Sequence, residues 1–137
     1  MTEQTSKSTE LVLAAARAAS SKKAQRIVIL DVSEQLVITD HFLICSGTSA
    51  RQVRTIAEEV ERQMREAFGA KPYRKEGQQE ARWILLDYVD FVAHVFLQED
   101  RDYYDLERLW SDAGVVNFDQ SREARDEPAA AEATQAR

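Results

Sequence analysis

Two apolar runs lie so close together in the chain that they limit the possible folds more than any other feature. Residues 81–87 and 90–97 both have the composition of buried β-strands, and only Tyr88 and Val89 separate them. A parallel crossover needs about a dozen residues or more, so these two strands must form an antiparallel hairpin. The sequence therefore predicts a β-sheet built around this hairpin.

The faces of the hairpin follow from its turn. A two-residue loop at residues 88–89 places Asp87 opposite Asp90 and Trp83 opposite His94. Because side chains alternate along a strand, both faces are then apolar. One face carries Trp83, Leu85, Val92, His94 and Phe96, and the other carries Ile84, Leu86, Phe91, Ala93 and Val95. The pattern leaves open whether helices bury the Trp83 face or leave it exposed as an interaction surface.

Helices and further strands surround the hairpin in the sequence. The pattern predicts a helix from Thr9, strands at 26–32 and 41–45, a helix from a Ser49 cap to Gly69, a short edge strand at 72–75 and a helix over 99–113. This order predicts an α/β fold, with a mixed sheet of about five strands and flanking helices. Residues 1–8 and 119–137 are polar and are predicted to be disordered, which leaves one domain over residues 9–118.

The composition restricts the class of protein. No apolar run approaches the roughly 18–20 residues of a membrane helix, and the polar N-terminus lacks a signal core, so we expect a cytoplasmic protein. The single cysteine, Cys45, cannot form an internal disulfide and is expected to be a buried structural thiol.

The charge of the chain bears on its partner. The net charge is −6, which favours a basic protein partner over a nucleic acid and argues against direct DNA binding. Some cationic residues occur in small groups, and none of these groups makes a long stripe along the sequence. These groups are Lys22-Lys23 with Arg26, Arg51 with Arg54, and Lys71 with Arg74-Lys75.

Two features of the sequence are compatible with an enzyme. The turn at residues 46–49, Ser-Gly-Thr-Ser, can present backbone N–H groups to an anion, as nucleotidyltransferases do at their sites. Asp87 and Asp90 flank the hairpin turn, and such a pair can bind a metal ion. A third converging acid is missing, and His41 and His94 lack metal-site spacing. Turn and capping chemistry is favoured, with a nucleotide-binding enzyme as the alternative.

Several motifs occur together in one order between about residues 10 and 113. They are Ile38-Thr-Asp40, Cys45-Ser-Gly-Thr-Ser49, Glu76-Gly77, Trp83-Ile-Leu-Leu-Asp-Tyr88, His94-Val-Phe96 and Arg101-Asp-Tyr-Tyr-Asp-Leu-Glu-Arg-Leu-Trp110. With these motifs the chain resembles the bacterial ribosomal silencing factor family, also called RsfS or Iojap-related. The resemblance implies a nucleotidyltransferase-like fold without the catalytic residues, and therefore neither enzymatic activity nor a cofactor or metal.

The resemblance also implies a partner and a surface. Family members bind the large ribosomal subunit through ribosomal protein L-fourteen and sterically block the joining of the small subunit, which lowers translation when nutrients are scarce. The tryptophan of the family's contact surface maps to Trp83. Further candidates for the contact are Thr39, Asp40, Asp87, Tyr88, Asp90, His94, Arg101 and Tyr104. The family usually carries glycine where this chain has Val89. A homodimer through the same apolar face is a further hypothesis.

Overall fold

The computed structural model describes residues 3–118, with side chains from Lys7 onward. The helices are α1 (Glu3–Ser21), α2 (Ala50–Phe68), α3 (Gln98–Tyr104) and α4 (Leu106–Leu109). The strands are β1 (Gln25–Asp31), β2 (His41–Gly47), β3 (Arg74–Glu76), β4 (Trp83–Asp87), β5 (Phe91–Leu97) and β6 (Gly114–Val116). Within this part of the chain, none of the helices combines the length and apolarity that crossing a bilayer requires.

The strands form one six-stranded mixed sheet in the order β3-β4-β5-β2-β1-β6. The central strands β2 and β5 are parallel, with His41 opposite Phe91 and Gly47 opposite Leu97. Every other neighbouring pair is antiparallel. The predicted mixed α/β sheet is confirmed, although it has one strand more than expected.

Both long helices pack on the same face of the sheet. Their apolar residues recur at helical spacing and meet alternate side chains of the central strands in one buried cluster. Its members include Val12, Ala15, Val53, Ile56, Val60, Leu43, Cys45, Ile84, Leu86, Ala93 and Val95. Cys45 is fully buried as expected, and burial raises the pKa of its thiol to about 12.

The opposite face of the sheet receives much less cover. A smaller cluster is centred on Leu30, Phe42 and Phe96, with α4 and the turn after it packed against the half of the face formed by β1 and β2. Phe42 meets Trp110 edge to face at 5.4 Å between ring centroids. The half formed by β4 and β5 is only partly covered, and this difference creates the surface described below.

The hairpin differs from its predicted register by two residues. Trp83 lies opposite Phe96 and Asp87 lies opposite Val92, so the central residues of the turn are Val89 and Asp90. The register shifts because Tyr88 joins the ladder, where its N–H donates to the Phe91 carbonyl at 2.9 Å. A shift by two residues preserves the two faces, so the predicted division of side chains is confirmed.

The start of the first helix also differs from the predicted one. The first helix begins at Glu3 rather than Thr9. Ser8 is buried, and its hydroxyl lies 3.2 Å from Nδ1 of His41 and donates to the Asp90 carbonyl at 3.3 Å. These hydrogen bonds connect Ser8 to β2 and to the β4–β5 turn, and the local sequence pattern predicted neither contact. The predicted disordered tail, residues 119–137, lies outside the described residues.

The helix predicted over residues 99–113 is interrupted. Asp105 adopts a left-handed conformation with φ 52°, which ends α3 and begins the single turn of α4. Aspartate tolerates this conformation better than most residues because its short polar side chain can hydrogen-bond locally. The chain then continues into β6, a short edge strand that pairs with β1 and was not predicted.

The β4–β5 turn holds Val89 at φ 73°. Asp90 N–H donates to the Tyr88 carbonyl at 2.8 Å across Val89, and Val89 N–H donates to Oδ1 of Asp87 at 2.9 Å. A positive φ is unfavourable for a β-branched residue and readily adopted by glycine. The turn is therefore strained at the position where the resemblance implied glycine.

Replacement of Val89 by glycine is expected to raise the free energy of unfolding by about 1 kcal/mol, because it removes this strain at some cost in chain entropy. Urea titration followed by circular dichroism measures the change. Asp105→Gly is the matched control, since aspartate tolerates its left-handed backbone and should gain less. A Val89→Gly protein less stable than the parent would contradict the strain.

Candidate docking surface

The uncovered half of the sheet is centred on Trp83. Its ring stacks on Phe96 with centroids 4.8 Å apart and meets Tyr104 of α3 at 4.8 Å. Its Nε1–H donates to Nδ1 of His94 at 3.1 Å. Trp83 is half-buried and Tyr104 is 50% exposed, so one side of this aromatic group faces solvent.

His94 lies beneath the indole and has a constrained protonation state. It is nearly fully buried between Trp83, Phe42 and Phe96. Burial lowers its pKa to about 4. Because Nδ1 accepts the hydrogen bond from Trp83, the ring is neutral and carries its proton on Nε2, which has no partner within the described residues. The histidine thus orients the tryptophan.

We call the solvent-accessible part of this face the open face, defined by Trp83, Leu85, Val92 and Tyr104. These residues come from β4, β5 and α3, and all are partly exposed. The open face exists because the chain leaves α3 at Tyr104 and α4 packs over β1 and β2 instead. Rigid strands support it, which limits the entropy that a partner's binding would cost.

An apolar loop flanks this face. Leu36, in the β1–β2 connection, packs against the same cluster as Trp83 and Val92. The next two residues, Val37 and Ile38, are 102% and 79% exposed. Sequence analysis missed both residues as surface candidates. An apolar triplet in an otherwise polar loop is the signal that could have identified them.

A group of carboxylates lies at the turn end of the sheet. Asp40 N–H donates to the Asp90 carbonyl at 3.1 Å, which brings the β1–β2 loop against the β4–β5 turn. Asp87 is on the same side of β4 as Trp83, and Arg74 approaches its carboxylate at 3.6 Å. Thr39 is buried beside them, and its hydroxyl has no partner within the described residues.

Two further predicted contact residues, Tyr88 and Arg101, lie inside the protein, as Thr39 and His94 do. Tyr88 is 9% exposed, stacks on Phe91 at 5.0 Å and belongs to the core beneath the long helices. Burial is the main reason that its pKa is raised. Arg101 is 1% exposed and lies beside Ser46, at the end of the sheet remote from the turn. The structure thus brings Trp83, His94 and Tyr104 together and buries the side chains of Arg101 and Tyr88.

Arg101 fixes the base of α3. Its guanidinium donates to the Gln25 carbonyl at 3.3 Å, to the Ser46 hydroxyl at 3.3 Å and to the Glu107 carboxylate at 2.6 Å. Although burial raises the pKa of Glu107, the hydrogen bond and charge of Arg101 outweigh it and hold that pKa below its ordinary value. One side chain therefore ties α3 and α4 to β1 and β2, and it sets where Tyr104 lies.

The features that suggested a nucleotide site are used internally. Ser49 caps α2 by accepting the Gln52 N–H at 3.1 Å, and Gln52 Oε1 accepts from the N–H and hydroxyl of Thr48. Asp87 accepts the Val89 N–H. Across the described part of the chain, no three His, Cys, Asp or Glu side chains are grouped as a metal ion would require.

Comparison with known proteins gives consistent results. The sequence profile of the family described as "Ribosomal silencing factor during starvation" matches residues 5–137. A ribosomal silencing factor from Halalkalibacterium halodurans is 43% identical over 110 residues, covering 80% of this chain and 93% of the relative. Another, from Bacillus subtilis, is 44% identical over 105 residues, covering 77% and 88%. A crystal structure from Bacillus halodurans has a TM-score of 0.71 and 40% identity, covering 80% of this chain and 99% of that one.

Acidification is expected to destabilise the fold through His94. Its pKa is about 4 in the folded chain and about 6.5 when unfolded, so between these values only the unfolded chain binds the proton. The stabilisation is complete above pH 6.5 and is lost as pH falls, by about 2 kcal/mol at pH 5. Urea titrations at pH 7 and pH 5 measure it. His94→Gln, which retains an acceptor for Trp83, should lose less; equal losses in both proteins would refute this origin.

Removal of the Glu107 carboxylate is expected to be costly. Glu107→Ala leaves the Arg101 charge buried without its anion, which should lower the free energy of unfolding by about 3 kcal/mol. Asp102→Ala is the control: it breaks the exposed pair with Arg26 and should cost at most about 1 kcal/mol. Thermal unfolding of both proteins tests the difference, and equal costs would show that Arg101 does not depend on this pair.

Proposed function

The chain belongs to the ribosomal silencing factor family, and from this premise we propose that it represses translation by binding the large ribosomal subunit. The motifs predicted this family, and the comparisons confirm it. In our proposal the chain docks on ribosomal protein L-fourteen in the cytoplasm and occupies the surface on which the small subunit would join. The action is steric, and no reaction is required.

The open face is the observation that supports docking. An aromatic group of Trp83, Phe96 and Tyr104 lies on a rigid sheet with one side in solvent. Tryptophan and tyrosine are enriched among the residues that contribute most to protein–protein affinity. The exposed Val37 and Ile38 add apolar surface in the β1–β2 connection, whose Leu36 packs against the same cluster as Trp83. A partner that covered these side chains would bury apolar surface without reorganising the fold.

The carboxylates at the turn end suit a basic partner. Asp40, Asp87 and Asp90 lie beside the β4–β5 turn, at the rim of the open face, and the chain carries a net charge of −6. Charges at a rim speed encounter and set orientation more than they increase affinity. We assign these carboxylates to steering, and Trp83 and Tyr104 to anchoring.

The remaining predicted residues act indirectly in this proposal. His94 orients Trp83, and Arg101 holds α3 so that Tyr104 meets the indole. Thr39 and Tyr88 support the turn end from inside.

A second copy of the chain would compete for the same open face, so a homodimer and the ribosome-bound form would exclude each other. Light scattering with and without large subunits tests this relation.

Loss of the Trp83 ring is expected to weaken binding to isolated large subunits at least about 30-fold, as for a central interface residue. Co-sedimentation of Trp83→Ala with separated subunits measures it. Val115→Ala, on the far edge strand and 72% exposed in the parent, should bind normally. Circular dichroism establishes that each variant is folded.

If Trp83→Ala unfolds, Tyr104→Ser provides a second test of the same surface. Tyr104 is half exposed, so its replacement should leave the protein folded. Folded Trp83 and Tyr104 variants that bind as the parent does would contradict the docking surface.

Purified ribosomal protein L-fourteen should compete with the large subunit for the protein. If added L-fourteen does not reduce binding to the subunit, the partner is a different ribosomal component. Sucrose gradients should show fewer joined ribosomes when the protein is added.

A further inference from the structure

A groove on the helix-covered face gathers cations that are scattered in the sequence. It has a volume of about 490 Å³ and runs between α2 and the β3–β4 hairpin, with Ala57 and Ile84 among its lining residues. Arg54 and Arg65 line it from α2, and Lys75 lines it from β3. A neighbouring hollow of about 250 Å³ shares Arg65 and Lys75 and adds Lys71. We call this continuous surface the cationic groove.

Several of these charges are free to meet an anion. Among the side chains that the structure describes, no carboxylate forms an ion pair with Arg54, Arg65 or Lys71. Arg54 donates to the carbonyls of Gln78 and Gln79 at 3.2 and 2.6 Å, which fixes its position without neutralising it. A cation held by neutral partners retains its field and loses little side-chain entropy on binding.

The carboxylates of the groove do not cancel this charge. Lys75 lies 3.3 Å from Glu61 and neutralises it, while Arg62 is occupied by Glu59 and Glu66 on its own helix. Glu58 is the acidic wall residue that has no such pair among the described side chains. Residues 51–75 carry seven lysines and arginines against four glutamates, a local charge of +3 in a chain of net charge −6.

An exposed aromatic residue is adjacent in the chain to the lining of the smaller hollow. Tyr73 follows Pro72, which lines the smaller hollow, and is 79% exposed. Its backbone is fixed, since its N–H donates to the Asp87 carbonyl at 2.7 Å. Exposed aromatic rings beside a cationic groove provide stacking surfaces for unpaired bases, while the cations contact the phosphates.

We propose that the cationic groove binds single-stranded RNA. Arg54, Arg65 and Lys71 contact separate phosphates along the strand, and Tyr73 stacks on a base. The groove contains Ile84, whereas the open face contains Trp83, so the two surfaces lie on opposite sides of the sheet. One chain can then hold a protein and an RNA together. The inference depends on the proposed function only for the source of the RNA, which a ribosome would supply.

The test is fluorescence anisotropy of the full chain with a fluorescein-labelled single-stranded oligouridine of twelve nucleotides. Binding is expected with a Kd of about 1–100 µM at 50 mM salt, and three phosphate contacts predict a roughly 20-fold loss of affinity at 200 mM. In the triple variant Arg54→Gln, Arg65→Gln, Lys71→Gln the dependence on salt should nearly disappear. Tyr73→Ser should weaken binding at least about fivefold.

A matched control separates the groove from net charge. The triple variant Lys7→Gln, Arg17→Gln, Arg108→Gln removes the same charge from exposed positions outside the groove and should bind as the parent does. Tyr103→Ser is the control for Tyr73, since Tyr103 is 82% exposed on α3. Circular dichroism establishes that all variants are folded.

Three results would overturn the proposal: no binding at 50 mM salt, equal losses in the groove and control triple variants, or equal affinity for a poly-aspartate peptide. Failure of the docking proposal is separately visible. Trp83→Ala should bind the oligouridine normally even if it loses the large subunit. A parent protein that binds the oligouridine but not the subunit would contradict the docking proposal alone.

Discussion

The central parallel pair, β2 and β5, imposes the main constraint on this protein. Both strands are apolar on both faces, so each face of the sheet needs cover from water. The two long helices pack on the same face. The opposite face receives only short helices and a turn, which cover the β1–β2 half. Exposure around Trp83 thus follows from an unequal division of helices between two equally apolar faces.

The polar groups of the structure define the limits of that exposed area. At one end, Arg101 ties the start of α3 to the ends of β1 and β2, and at the other, Asp40 and Asp90 join two loops through the backbone. Between them the aromatic cluster rests on strands that cannot move independently. The charged residues follow the same division. Acidic groups border the open face, and the helix side is lined by cations such as Arg54 and Arg65, which form no ion pair with a described carboxylate.

Sequence patterns correctly predicted the features that depend on neighbouring residues in the chain. Strand alternation assigned Trp83 and Ile84 to opposite faces, and Ser49 and Gly69 marked the ends of α2. Other features depend on contacts between residues far apart in the chain, and the sequence patterns did not predict them. The pairing of Tyr88 moved the hairpin register, and burial beneath α3 removed Arg101 from the surface. The cationic groove also escaped prediction, because Lys75 joins Arg54 and Arg65 only when α2 packs beside the β3–β4 hairpin.

The parallel pairing of β2 with β5 has a consequence for how the chain acquires its structure. Each residue of β2 pairs with one fifty positions later, as His41 does with Phe91. Contacts of such long sequence separation carry a large loop-closure entropy and slow folding. A chain emerging from the synthesis machinery can form α1, β1, β2 and α2 before β5 has been made. The surface around Trp83 needs β4, β5 and α3 and therefore forms late, so the docking that we propose would have to wait for these elements.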